Sequence, residues 1–189
     1  MNIRIASPSD ASDIAAIYAP IVRDSVISFE ADPPSAEEMA TRINAIIQSH
    51  PWLVAEDQGR ITAYAYGSPH RGRTAYQWSS DVSVYVGEHA RRTGTGRALY
   101  QQLFEILKQQ GMATLYAGVT LPNKASVGFH ENLGFEPIGI YRNVGFKSGA
   151  WRDVGWWSLA LQSLGNAPTP PVSFKTLRGQ LPRDLRASR

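Results

Sequence analysis

The stretch Val84-Tyr85-Val86-Gly87-Glu88-His89-Ala90-Arg91-Arg92-Thr93-Gly94-Thr95-Gly96-Arg97 decides the fold. Its first residues have β character. From Thr95 onward Leu99, Leu103, Ile106 and Leu107 recur at helical spacing until Gly111. A strand that feeds a helix through R-x-x-G-x-G gathers several backbone N–H groups, unpaired at the helix start, around one small volume. Gly94 and Gly96 have no side chain to block a close approach, and Arg91, Arg92 and Arg97 add positive charge at the rim. That volume suits a pyrophosphate. An ordinary strand–turn–helix, with glycines serving only geometry, reads the same way, so the flanking sequence must decide. Two commoner phosphate signatures drop out. The lysine and hydroxyl of a P-loop are missing, and the third glycine of a dinucleotide fold would fall on Leu99.

Downstream, Thr114–Val119 (TLYAGV) reads as a strand and Asn123–Leu133 as a helix, which completes a βαβ unit around the turn. Upstream, residues 2–6 read as a strand. Asp10 is expected to cap a helix whose buried face carries Ile14, Ile17, Tyr18, Ile21 and Val22. Ser35-Ala36-Glu37-Glu38 has the form of a capping box, and Met39, Ile43, Ile46 and Ile47 continue a helical stripe to about Ser49. WLVAE (52–56) and ITAYAYG (61–67) flank the turn Asp57–Arg60 as antiparallel strands, and a Gly/Pro/Arg loop (Ser68–Thr74) leads to the strand at 81–86. Residues 135–161 read as a closing hairpin whose strands are separated by Asn143–Gly149. The chain is thus expected to form one domain over 1–162, followed by a Pro-rich basic extension, 163–189, with Pro168, Pro170 and Pro171 in an extended arm.

With 189 residues and 43% hydrophobic content the chain suits one α/β domain. It contains no apolar run long enough for a membrane helix and no signal-peptide layout at its start, so a cytoplasmic protein is expected. The absence of cysteine excludes disulfides, thiolate metal sites and a cysteine nucleophile, and no metal site is expected. The net charge of +3 is modest and partly concentrated in 175–189, without a nucleic-acid reading motif. An anionic cofactor or substrate fits this balance better than a polymer.

The glycine turn matches the R/Q-x-x-G-x-G/A signature of the GNAT acetyltransferase superfamily. The chain resembles in particular its phosphinothricin and methionine sulfoximine N-acetyltransferase branch over about residues 2–161. The resemblance is carried by PWLVAE (51–56), AYQW (75–78), SVYV (83–86), RRTGTGRALY (91–100), LPNKASVGFHENLGF (121–135) and VGFKSGAWRDVGWW (144–157). It implies a mixed α/β fold whose mostly antiparallel central sheet has splayed strands and flanking helices. Acetyl-coenzyme A would be the cofactor. Its arm would pair with the backbone of Val84, Tyr85 and Val86, its pyrophosphate would sit on Arg91, Arg92, Thr93, Gly94, Thr95, Gly96 and Arg97, and a second contact would come from Asn123 and Ser126. Helix capping explains Asn123 equally well.

Acyl transfer to an amine needs the neutral nucleophile, so some group must take a proton. Asp81 opens the strand at the position where these enzymes commonly carry a glutamate. The shorter side chain would act through a water or only orient the ammonium, although a carboxylate at a surface strand end reads the same. His130 lies where the pattern places the acid that protonates the departing thiolate; a histidine on a helix surface is the plainer reading. The resemblance assigns acceptor contacts to Phe29, Arg71, Arg73 and Tyr76, where a guanidinium fork would take a carboxylate, phosphinate or sulfoximine. His50, His70 and His89 read as loop residues, and Trp78, Trp151, Trp156 and Trp157 as core or subunit contacts. A homodimer is implied, with the hairpin around Lys147–Asp153 reaching a neighbouring subunit. The competing readings are a peptide or polyamine acceptor, a coenzyme A-binding module without turnover, and nucleic-acid binding through the tail.

Overall fold

The computed structural model describes residues 1–186. Seven strands, β1 (Asn2–Ile5), β2 (Trp52–Asp57), β3 (Arg60–Pro69), β4 (Ser79–Val86), β5 (Thr114–Leu121), β6 (Glu136–Lys147) and β7 (Ala150–Ala160), form one sheet in the order β1-β2-β3-β4-β5-β7-β6. Every neighbouring pair is antiparallel except β4 and β5. The helices are α1 (Ala11–Asp24), α2 (Ala36–Ile46), α3 (Thr95–Gln110), α4 (Lys124–Glu131) and two short ones, α5 (Phe174–Leu177) and α6 (Arg183–Arg186).

Strand alternation puts successive side chains on opposite faces. On one face Tyr85 of β4 meets Tyr18 of α1, with ring centroids 5.0 Å apart. On the other, Val86 abuts Gly96 of α3, where an added Cβ would lie 3.3 Å from Val86 Cγ2. The sheet therefore separates an α1 face from an α3 face, and both cores are apolar: Ile14, Val22 and Ile43 on helices α1 and α2, and Leu99, Leu103 and Leu107 on α3, are fully buried.

One pairing shapes everything that follows. β4 and β5 are joined only at Ser79–Thr114, Ser80–Leu115 and Asp81–Tyr116. Beyond that point β4 continues along β3 to Val86 and β5 continues along β7 to Leu121. The two strands part as a V whose vertex is Asp81, and the β5-facing backbone groups of 82–86 have no strand partner.

Several local expectations are met in detail. Ser35 Oγ accepts the Glu38 N–H at 3.1 Å while Glu38 accepts the Ser35 N–H at 2.7 Å, closing the capping box. Gln58 and Gly59 both adopt positive φ, 49° and 79°, in the β2–β3 turn. Asp10 differs. It stands at the start of α1 without a capping bond, because its carboxylate is taken by buried Arg4 at 2.8 Å and by the Ser7 N–H at 2.8 Å. The closing hairpin also differs. Its strands run to Lys147 and Ala150 around Ser148-Gly149, both left-handed, whereas Asn143 occupies a bulge whose N–H donates to Asp153 at 2.8 Å.

The tail packs on the domain. Its proline segment has no regular structure; from Phe174 short helical turns follow and bury Phe174, Leu177, Leu181 and Leu185 against the domain. Gln110 Nε2 donates to both Ser49 O and Val172 O at 2.9 Å, and Trp78 Nε1 donates to Thr169 O at 2.9 Å, which ties the arm down. Phe174 is 0% exposed. Its replacement by alanine is expected to cost about 3 kcal/mol, read as a lower urea midpoint at unchanged slope. A change under about 0.5 kcal/mol would show instead that the tail lies outside the cooperative unit.

Candidate active site

The turn between β4 and α3 is built as an open cradle. Arg92 and Gly94 take positive φ, 63° and 87°, and Gly94 caps α3 without any side-chain bond. The N–H groups of the first turn are therefore left facing outward. Open space surrounds the position where a Gly94 Cβ would stand, whereas Gly96 is packed against Val86 and Phe129 and lets the helix start lie directly on the strand end. Thr93 Oγ1 donates to Ala90 O at 2.7 Å and fixes the loop. Arg91, Arg92 and Arg97 are exposed around it; Arg91 Nε reaches Val86 O at 3.4 Å and Arg97 reaches Asn132 O at 3.3 Å. A groove of about 1230 Å³ opens beside the turn, bordered by Ile17, Ile61, Gly87, Arg91 and Thr95. An unpaired strand edge leading into a cradle of free N–H groups fits a long, amide-bearing arm that ends in a pyrophosphate.

At the vertex Asp81 Oδ1 meets His70 Nδ1 at 2.6 Å. Burial pushes the Asp81 carboxyl above its ordinary range, and the bond to His70 and the charge of Arg71 oppose that rise. The His70 ring lies on Tyr116, with centroids 4.3 Å apart, and turns its edges to Tyr76 and Trp156 at 6.1 and 6.0 Å. Arg71 stands over the Trp156 ring at 5.9 Å and donates to His70 O at 2.8 Å. Trp156 Nε1 is buried and has no hydrogen-bond partner among the described residues. One carboxylate thus meets an imidazole that is walled by aromatic rings, with a guanidinium beside them.

The loop between α1 and α2 closes over the same face. Thr120 Oγ1 on β5 donates to Ile27 O at 3.3 Å. Lys147 Nζ, from the end of β6, donates to Val22 O, Ser28 O and Glu30 O at 2.7, 2.7 and 2.8 Å. Tyr18 Oη meets Ser28 Oγ at 2.6 Å, and Glu30 is gripped by Arg42 at 2.7 and 2.9 Å, which holds the Glu30 carboxyl below its usual range. Phe29, half exposed, crosses β6 at Gly145, where any side chain would run into its ring.

The structure therefore brings Asp81, Arg71 and Tyr76 together and places Phe29 on the loop that covers their face. Arg73 is exposed at the start of a short 3-10 turn, Thr74–Tyr76. Asn123 Oδ1 accepts the Ser126 N–H at 3.1 Å, so its carbonyl serves as a helix cap. His130 is not found with Asp81. It is 5% exposed among Tyr100, Phe129 and Phe135, its Nδ1 bonds to Ser126 O at 2.8 Å, and its Nε2 meets Tyr100 Oη at 3.3 Å. Burial lowers its pKa, and both of its ring nitrogens already have partners in the core, Ser126 O and Tyr100 Oη.

Residue-by-residue reading missed His70, Tyr116, Trp156 and Lys147. His70 lies in a loop, as expected, directly after β3, and the pairing of Ser68 with Asp81 brings it across the strand to the carboxylate. Trp156 was placed in the core, and it is a wall of the box. His50 lies in the loop between α2 and β2, as expected, but it is 6% exposed, and burial lowers its pKa to about 4.

Comparison with known proteins agrees with this geometry. Residues 3–156 match the model of the acetyltransferase (GNAT) domain. The phosphinothricin N-acetyltransferase of Streptomyces viridochromogenes is 33% identical over 171 residues, 90% of this chain and 91% of that one. The L-methionine sulfoximine/L-methionine sulfone acetyltransferase of Pseudomonas aeruginosa is 33% identical over 169 residues, 88% of this chain and 98% of that one. The crystal structure of a GNAT phosphinothricin acetyltransferase from Sinorhizobium meliloti, in complex with acetyl-coenzyme A, superposes with a TM-score of 0.83 at 32% identity, covering 92% of this chain and 97% of that one. This chain belongs to the GNAT acetyltransferase family and is an acetyl-coenzyme A-dependent N-acetyltransferase.

Proposed function

We propose that the acceptor is the α-amino group of a small anionic amino acid of the phosphinothricin, methionine sulfoximine or methionine sulfone kind. The observation that carries this reading is the arrangement at the vertex: Asp81 bonded to His70, whose ring stands among Tyr76, Tyr116 and Trp156, with Arg71 over Trp156. A carboxylate among aromatic faces attracts an ammonium group, and a guanidinium fork matches a carboxylate or phosphinate bidentately.

Acetyl-coenzyme A, when bound, supplies an acetyl group already activated as a thioester. The chain's own residues do the rest. The free backbone edge of Val84, Tyr85 and Val86 holds the arm and presents an N–H that polarises the thioester carbonyl. Thr93, Gly94, Thr95 and Gly96 offer backbone N–H groups to the pyrophosphate, with Arg91, Arg92 and Arg97 as counter-charges. Asn123, whose amide nitrogen is left over from capping, and Ser126 stand at the start of α4 for a second contact. Asp81 attracts and orients the acceptor ammonium at the vertex, and the α1–α2 loop with Phe29 excludes water above it. We assign His130 to the core rather than to the reaction.

The edge strand β6 and the hairpin tip expose Ile138, Ile140, Val144, Phe146 and Trp151, and we read this apolar strip as the face on which two copies join. A cytoplasmic location fits the need for acetyl-coenzyme A as the acetyl donor. A polyamine acceptor would bring two or more positive charges against Arg71 and Arg73, which disfavours it.

The proposal is tested by thiol release from acetyl-coenzyme A across methionine sulfone, methionine sulfoximine, phosphinothricin, common amino acids, spermidine and a peptide. An α-amino acid is expected to exceed its decarboxylated amine by about a hundredfold in kcat/KM, the effect of a lost charge-assisted fork. Equal rates for the two, or turnover of spermidine alone, would overturn it.

A further inference from the structure

Asp81 does not meet the acceptor alone. Its Oδ1 is already bonded to His70 Nδ1 at 2.6 Å. The His70 ring is fixed from three sides: flat on Tyr116 of β5, and edge-on to Tyr76 and to Trp156 of β7. Its side chain is 13% exposed, against 29% for Asp81, and no bond within the described residues takes its Nε2. With Nδ1 tied to a carboxylate, Nε2 is left as a lone-pair acceptor, one ring's width beyond the reach of the carboxylate. A carboxylate that orients an imidazole by Nδ1 fixes the tautomer and stabilises the imidazolium formed when Nε2 takes a proton.

We propose that His70, backed by Asp81, is the proton acceptor of this enzyme: His70 Nε2 takes the proton from the acceptor ammonium. This rests on the acceptor reading above. The ammonium N–H bond breaks, its electron pair stays on nitrogen and the proton bonds to Nε2. The amine then forms the C–N bond as the C–S bond breaks, with the sulfur leaving as thiolate. The second amine proton is lost as the amide forms; of the two protons one neutralises the thiolate and the other goes to water through His70. The charged and titratable groups facing the pair are Arg71, Tyr76 and Tyr116 at the ring and Arg71 and Tyr66 at Asp81. Trp156 completes the wall. Among the described residues no other ion pair reaches the imidazole.

Two measurements test this separately from the choice of acceptor. In the ligand-free protein, 15N-labelled histidine spectra should show His70 protonated at Nδ1, with a slowly exchanging proton that exchanges faster in Asp81→Asn, where the acceptor is uncharged. A His70 protonated at Nε2 would overturn the proposal whatever the enzyme acetylates. With any acceptor that the wild-type protein turns over, His70→Phe, which keeps a ring on Tyr116, should lower kcat about a hundredfold or more while KM for acetyl-coenzyme A stays within about twofold. The acid limb of its kcat/KM profile should disappear. His70→Ala should fall equally and recover part of its rate in added imidazole, which a packing role would not produce. A His70→Phe enzyme within about threefold of wild type with an unaltered pH profile would refute the role. Absence of turnover by wild type would instead count against the acceptor reading and leave the histidine spectra to decide on the pair.

Discussion

Asp81→Asn is expected to lower kcat/KM by about two to three orders of magnitude without weakening acetyl-coenzyme A binding or the fold. Asparagine keeps the size of the side chain and can still accept from His70 Nδ1. It can neither stabilise an imidazolium nor attract an ammonium group with a full charge. The cofactor elements lie further along β4 and in the turn, so the dissociation constant of coenzyme A should be the same in both proteins. Stability gives an independent check. Burial raises the Asp81 carboxyl, so the folded protein binds that proton more readily than the unfolded chain does. The contribution of this group is therefore most favourable at low pH and diminishes as pH rises past the ordinary carboxyl range. A neutral side chain removes that cost. At neutral pH the Asp81→Asn protein should melt at or slightly above the wild-type temperature while turning over far more slowly, the pattern of a group kept for chemistry. Unchanged kcat/KM in initial-rate assays would remove Asp81 from the mechanism.

Gly94→Val is expected to raise KM for acetyl-coenzyme A by about a hundredfold and to leave kcat at saturation within a few fold of wild type. Gly94 sits at φ 87°, a conformation that a β-branched residue adopts only with strain. The position around it is open, so valine meets no protein atom, and its cost falls on whatever occupies the cradle. Two charge-assisted bonds from the turn to a phosphate, each worth about 1.5 kcal/mol, account for that factor. Gly94→Ala should lie between the two. A KM unchanged in Gly94→Val would mean that the phosphates do not rest on this turn.

The legible part of the fold was the part with strong period and punctuation. The helical stripe from Leu99 to Leu107 between two β runs, ended by Gly111 at φ 94°, identifies the βαβ unit. The parting of β4 from β5 was supplied by family resemblance, since no residue pattern on either strand reports it. In the tail the three prolines mark the irregular arm correctly, while the basic run after it carries Phe174, Leu177, Leu181 and Leu185 at helical spacing, and these are buried. Asn143 and Ser148 both take left-handed backbone in the closing hairpin, one for a bulge and one for the turn, and residue type does not tell these apart.

The candidate site divides the same way. Its cradle is local in sequence and was readable from Arg91 to Arg97. The vertex is assembled by register, and His70 reaches Asp81 only because β3 and β4 pair Ser68 with Asp81. His130 illustrates the converse. Its distance from Asn123 along the chain names a position on α4, but the direction of its ring is set by packing on Tyr100 and Phe135.

The account as a whole turns on whether the chain moves an acetyl group from sulfur to the α-nitrogen of a small amino acid. Incubation with carbonyl-13C-labelled acetyl-coenzyme A and methionine sulfone, followed by mass spectrometry and NMR of the product, reads this directly. The account predicts N-acetylated methionine sulfone with all of the label in the new amide, formed in equal amount to the released thiol. Thiol release without that amide, or with the label on the protein or in free acetate, would contradict it.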